Sequence, residues 1–207
     1  VLTNNTKLKK IIESLRDWGR DCYCPPGEDN TCKKRFDWQL GELPHGYDHK
    51  YTYSHVGYNL KASDMQASIG VSQLEKIDNF IKIRKNNFDY LLKRFENFKE
   101  FDMPIWESES EPSWFGFPIT INQNAKFSRV ELLRFYSEKN IGTRLLFAGN
   151  ILKQPAYINK NIKSDNNLPN ADRIMENSFW LGVYPGLDNE MLDFVFEQTK
   201  NFIENTY

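Results

Sequence analysis

The apolar positions change their period along the chain. Leu8, Ile11, Ile12 and Leu15 fall at helical spacing, which predicts a helix over 5–18 with Gly19 at its C-terminal side. Residues 21–53 show no helical period and are punctuated by Pro25, Pro26, Gly27, Gly41, Pro44 and Gly46. So long a run without regular structure needs a reason, and function is the usual one. Helical spacing returns at Ser63, which has capping-box spacing with Gln66. Met65, Ile69, Leu74, Ile77, Phe80, Ile81, Phe88, Leu91, Leu92 and Phe95 continue it, as one long helix or as two broken within 79–87.

The pattern then changes. Phe115, Phe117, Ile119 and Ile121 alternate, as in a strand buried on one face. Ser128 and Glu131 repeat the capping-box spacing and open a helix over 129–139, with Asn140 suited to the left-handed position after it. A short strand is expected over 141–147, a polar surface loop over 159–170, a short helix over 171–177 and a strand over 179–184. Asp188 caps a last helix whose inner side carries Met191, Leu192, Val195, Phe196, Thr199 and Phe202. Strands alternating with helices after residue 100 predict a small α/β domain with helices on one face of a sheet. The expected division is 1–100 and 101–207.

The chain has 207 residues, with 27 Lys and Arg against 28 Asp and Glu, a net charge of -1. So even a balance gives no electrostatic reason to expect nucleic acid or an anionic membrane as partner. No apolar run approaches the roughly 18 residues a membrane span needs. No signal-peptide pattern is visible, and a cytoplasmic protein is expected. The chain opens at Val1 and its first Met is Met65, so a piece of a longer protein is expected.

The cysteines sharpen this picture. Cys22, Cys24 and Cys32 are the only three, an odd count in a tight cluster, unlike a disulfide framework. Thiolates are soft ligands that suit iron–sulfur clusters, Zn or Cu(I). The spacing matches neither the usual zinc knuckle nor the common ferredoxin runs. It reads equally as metal ligands or as ordinary free thiols, since Cys often serves as a small buried hydrophobe. Three sulfurs need a fourth ligand from His45, His49 or His55, or from outside the chain. Each histidine alone reads more simply as a hydrogen-bonded loop residue. Arg144 stands at the end of a strand beside Gly142, where a guanidinium grips a phosphate or carboxylate, or forms a surface ion pair.

Several segments resemble one family. They are Arg16-Asp17-Trp18-Gly19-Arg20-Asp21-Cys22, Pro25-Pro26-Gly27, Asn30-Thr31-Cys32, His55 to Lys61, Asp64-Met65-Gln66-Ala67, Gly142 to Asn150 and Phe179 to Gly186. The likeness is to the CDP-4-keto-6-deoxy-D-glucose 3-dehydrases of lipopolysaccharide 3,6-dideoxysugar synthesis. The Gly57-Tyr58-Asn59 element is shared with the wider DegT/StrS family of sugar aminotransferases. The resemblance covers nearly the whole chain, but matches only the C-terminal half of the family's proteins.

The resemblance implies an aspartate-aminotransferase (PLP-dependent transferase) fold, with residues 1–100 a remnant of the large cofactor-binding domain and 101–207 a small C-terminal α/β domain. It implies a dimer that carries pyridoxamine or pyridoxal phosphate and a [2Fe–2S] cluster, with a flavin/iron–sulfur reductase as electron donor. The substrate would be a CDP-linked 4-keto-6-deoxyhexose that loses its 3-hydroxyl. Cys22, Cys24 and Cys32 match three of the four cluster ligands, the fourth lying upstream. Asn59 matches the asparagine that binds the cofactor phosphate across the dimer interface, and Arg144 and Asn150 match a segment facing substrate. Lys61 stands where the family usually has Arg. The catalytic His and the Asp that pairs with the pyridine nitrogen both match positions upstream of Val1, so no catalytic residue is assigned here and the piece alone is expected to be inactive. The rival readings are a PLP-dependent sugar aminotransferase and a non-enzymatic Cys3His zinc module.

Overall fold

The computed structural model describes every residue except Pro26, Asp29, Asn159, Asn161, Asp165, Asn166 and Tyr207. The surface loop expected over 159–170 therefore falls partly outside the described residues. The chain forms two compact units, Val1–Ser72 and Gln73–Tyr207.

In the first unit, helix α1 covers Thr6–Arg16. Asn5 caps it, its side chain accepting the amides of Lys7 and Leu8 at 3.0 and 3.2 Å. A 3₁₀ turn at His49–Tyr51 is capped by Asp48. Helix α2, Asp64–Leu74, opens on the expected capping pair, with the Ser63 amide donating to Gln66 Oε1 at 2.9 Å. α2 buries no residue: Met65, Ile69, Val71 and Leu74 are all exposed.

Helix α3 covers Ile77–Phe95. The break between α2 and α3 is a turn at Glu75 and Lys76, ahead of the expected 79–87. Neither residue is Gly or Pro, so the pattern carried no mark of it. The apolar pattern joins α3 to the preceding residues, but its Phe88, Leu91 and Phe95 are buried in the core of the second unit. There they meet a four-stranded antiparallel sheet, order β1-β2-β4-β3. Its strands are β1 Phe101–Asp102, β2 Gly116–Ile121, β3 Thr143–Arg144 and β4 Ser178–Gly182.

Strand alternation sets the two faces. Phe117 pairs with Leu181 and Ile119 with Phe179, all buried, while Pro118 pairs with Trp180. Helices α4 (Arg129–Glu138) and α6 (Asn189–Thr206) add Leu132, Tyr136, Leu192 and Ile203 to that core. Aromatic rings supply much of its packing: Phe88 stacks on Trp114 at 3.8 Å, and Phe95 lies edge-on to Phe117 at 5.6 Å. The buried Tyr136 hydroxyl meets Thr199 Oγ1 at 2.6 Å, and the Thr199 hydroxyl donates to the Val195 carbonyl at 2.7 Å. Met191, expected on the inner side of α6, is half exposed.

The strand expected over 141–147 is reduced to Thr143–Arg144. Phe147 and Gly149 adopt positive φ, so the chain turns away from the sheet, and a Cβ at Gly149 would fall on Met175. Helix α5 covers Pro169–Asn177. Among the described residues no helix is long and apolar enough to cross a membrane.

Ser128 accepts the Glu131 amide at 3.3 Å while Glu131 accepts the Ser128 amide at 2.7 Å, closing the second capping box. Phe179→Ala, which truncates a fully buried ring, is expected to cost about 3–5 kcal/mol. Ser128→Ala is expected to cost about 1 kcal/mol. Urea unfolding followed by tryptophan fluorescence checks the order of the two; a larger loss for Ser128→Ala would contradict this packing.

Candidate metal centre in the cysteine loop

The ends of the cysteine loop are clamped by backbone pairing. Tyr58 donates to the Leu15 carbonyl at 2.7 Å, Trp18 to Tyr58 at 3.0 Å and Leu60 to Arg16 at 2.9 Å. Asp21 donates to Thr52 at 3.0 Å. This approach needs Gly19, whose φ is +82° and where a Cβ would fall on the His55 carbonyl. It also needs Gly57, where a Cβ would fall on the Gly19 amide.

Inside the clamp, Arg35 donates from Nε and Nη2 to one Asp48 oxygen at 2.8 and 2.6 Å. That pair holds the Asp48 carboxyl below its ordinary range. Asp48 Oδ1 in turn accepts the Lys50 amide, which fixes the turn carrying His49. His49 is 1% exposed, its ring tilted against Trp38 at 5.0 Å.

Around His49 the three sulfurs gather. Ligand atoms of Cys22, Cys24 and His49 all lie within 4.8 Å of one another. Cys32 Sγ is 3.8 Å from His49 Nε2 and accepts the Lys34 amide at 3.4 Å. Hydrogen bonds from the Thr31 side chain and the Cys32 amide draw the Cys24 thiol down to about 7. Burial pushes the Cys22 thiol up, against the Cys24 amide, and the neighbouring Cys24 charge raises it further. Amides aimed at sulfurs, and two thiols whose ionised forms repel each other, make a site that a soft cation satisfies, with a buried imidazole beside it. A polar cleft of about 510 Å³ opens beside Cys22 and Cys24, lined also by Arg20, Lys50 and Lys61.

Of the three histidines only His49 joins the sulfurs; His45 and His55 are exposed. The periodicity gave no means of choosing among them. Asn59 is exposed at the clamp, opposite Asp17 in an isolated bridge. Lys61 pairs with Asp17 at 3.5 Å. In the other unit, Arg144 is exposed on β3, donating to its own neighbour's carbonyl at 2.8 Å. Asn150 is buried instead: it donates to Asp172 at 2.6 Å and accepts the Leu152 amide at 3.1 Å. Each of its polar atoms thus has a protein partner and keeps capacity for one more. Capping residues with this signature, Asn followed by a short turn, are legible in sequence only once the turn is known.

The model of the DegT/DnrJ/EryC1/StrS aminotransferase family matches residues 1–200. The chain belongs to that family. Within it, the chain is 55% identical to the lipopolysaccharide biosynthesis protein RfbH of Salmonella typhimurium, over 98% of this chain and 46% of that protein. It is 50% identical to the dTDP-4-dehydro-2,6-dideoxy-D-glucose 3-dehydratase of Saccharopolyspora spinosa, over 98% of this chain and 44% of that protein. The chain therefore spans a little under half the length of these relatives. Its fold matches E. coli GDP-4-keto-6-deoxy-D-mannose-3-dehydratase with bound hydrated PLP, at TM-score 0.75 and 23% identity over 95% of this chain and 48% of that one. S. venezuelae DesV matches at TM-score 0.73 and 17% identity, over 98% and 46%. The fold is thus the corresponding part of the aminotransferase-like fold.

In the metal-free protein Cys24 is expected to alkylate before Cys22. Iodoacetamide labelling read residue by residue by mass spectrometry should give a Cys24 rate that rises to half its plateau near pH 7, with Cys22 rising only at higher pH. Reversed order would contradict the hydrogen bonding described for Cys24.

Proposed function

We infer that the chain is the C-terminal portion of a sugar-nucleotide 3-dehydrase that uses pyridoxamine phosphate and a [2Fe–2S] cluster. The observation that carries this reading is the meeting of Cys22, Cys24 and Cys32 around a buried imidazole, in a chain 55% identical to RfbH. When bound, the pyridoxamine group supplies the electron sink for loss of the 3-hydroxyl, and the cluster carries single electrons from a reductase.

The work of this chain's own residues is binding and orientation. Cys22, Cys24 and Cys32 hold the cluster, with a fourth thiolate from the part of the protein before this chain. The exposed Asn59 side-chain amide would donate to the cofactor phosphate, across a homodimer interface. Arg144 offers a fixed cation to the diphosphate or sugar oxygens of CDP-4-keto-6-deoxyglucose. Asn150 acts at one remove, capping the turn at Ile151–Lys153 through its bond to Leu152 and so shaping the loop that follows Arg144. Lys61 pairs with Asp17, and no anion is assigned to it. The catalytic His and the aspartate to the pyridine nitrogen belong to the preceding part.

The exposed apolar side chains of α2 fit this arrangement, since a helix with none of its face buried packs on further protein. We assign Val1–Ser72 to the large cofactor-binding domain and Gln73–Tyr207, whose core takes in α3, to the small one, which moves the expected boundary forward from residue 100. The protein would work in the cytoplasm, where its nucleotide substrate and reductase are found, and the piece alone would be inactive.

The test is anaerobic reconstitution of the full-length protein with iron and sulfide. The expected result is sulfur-to-iron charge-transfer absorption that Cys22→Ser, Cys24→Ser and Cys32→Ser each abolish, with loss of 3-dehydration of the CDP sugar. A folded protein that takes up no iron, or Cys→Ser variants that keep the spectrum, would overturn the reading.

A further inference from the structure

We propose that His49 is a positioning residue of the metal centre, whose Nε2–H donates a hydrogen bond to the Cys32 thiolate without binding the metal itself. The proposal rests on the reading that the three thiolates hold a soft metal or iron–sulfur centre.

The ring has no freedom to do otherwise. Its backbone amide is tied to the Arg35 carbonyl at 3.3 Å, its carbonyl accepts the Thr52 amide at 3.2 Å, and Trp38 covers it. Nε2 lies 3.8 Å from Cys32 Sγ, while Nδ1 is buried with no hydrogen-bond partner among the described residues. A neutral imidazole has one N–H to place. On Nδ1 it would be a buried donor without an acceptor, and the Nε2 lone pair would face anionic sulfur; both arrangements are unfavourable. On Nε2 the N–H meets the sulfur, and only a lone pair is left unpaired.

The same orphan atom argues against ligation through Nε2, the nitrogen that faces Cys32. A histidine that binds metal through one nitrogen almost always donates the other N–H to a carboxylate, a carbonyl or water. Nδ1 here has no such partner among the described residues. Cys32 Sγ already accepts the Lys34 amide, so His49 gives the same sulfur a second donor. Two donors on one thiolate draw off negative charge and lower the energy of its lone pairs. In an iron–sulfur centre that favours the reduced state.

The test is anaerobic titration of the metal-free full-length protein with Co²⁺, comparing wild type, His49→Phe and His49→Gln. Wild type should show thiolate-to-cobalt charge-transfer absorption. His49→Phe should keep the ligand-field bands but move the charge-transfer band to lower energy, because the thiolate has lost a donor. His49→Gln, whose amide still donates, should lie close to wild type and carries the test if the Phe variant fails to fold. An unmoved charge-transfer band in a folded His49→Phe would overturn the proposal. So would ligand-field bands altered in His49→Gln, which would make His49 a direct ligand. No charge-transfer absorption in wild type would instead overturn the thiolate reading, and the role of His49 with it.

Discussion

Everything proposed for the cysteine loop depends on one constraint, the close backbone approach of residues 15–19 to residues 55–60. A loop of this length has many ways to place three thiols and few that bring them together. The amide-to-carbonyl bonds of Trp18, Tyr58 and Leu60 fix where the loop leaves and returns. Gly19 and Gly57 allow the two strands of chain to come that close, because neither has a Cβ to intervene. The bonds are individually modest, about 0.5–1.5 kcal/mol net each. Their value lies in shortening the search that ligand convergence would otherwise require.

Within the clamp, charge and burial divide the work. The Arg35–Asp48 pair orders the turn, and the turn delivers His49 to a site it shares with all three sulfurs. Cys24 is kept low by hydrogen bonds and Cys22 high by burial, so the metal-free site is not uniformly ionised. A bound cation removes that difference by holding both as thiolates. The second unit is built on other terms: an antiparallel sheet with its aromatic core on one face and Trp180 against Phe115 and Phe147 on the other, whose edge strand presents Arg144 to solvent.

Local patterns gave much of this and tertiary pairings gave the rest. The two capping boxes at Ser63 and Ser128, the alternation at Phe117 to Ile121 and the Asp188 cap were legible because each signal lies within a few residues. The cysteine spacing marked the site for the same reason. The choice of His49 over His45 and His55 was not legible, because it depends on Arg35 and Trp38, far from it in sequence. The turn at Glu75-Lys76 carries no breaker residue. The short edge strand at Thr143–Arg144 ends where Phe147 takes a positive φ, which no residue preference announces. Asn150 carried the resemblance to a substrate-facing segment, yet its two polar atoms close a local cap and a bond to Asp172.

The central claim is that this loop is pre-shaped to gather its thiols on one metal centre. X-ray absorption at the iron edge of the anaerobically reconstituted full-length protein tests it most directly. The account predicts a first shell of sulfur around iron that loses sulfur scatterers in Cys22→Ser, Cys24→Ser and Cys32→Ser alike. A first shell of oxygen and nitrogen, or one unchanged by all three substitutions, would contradict it.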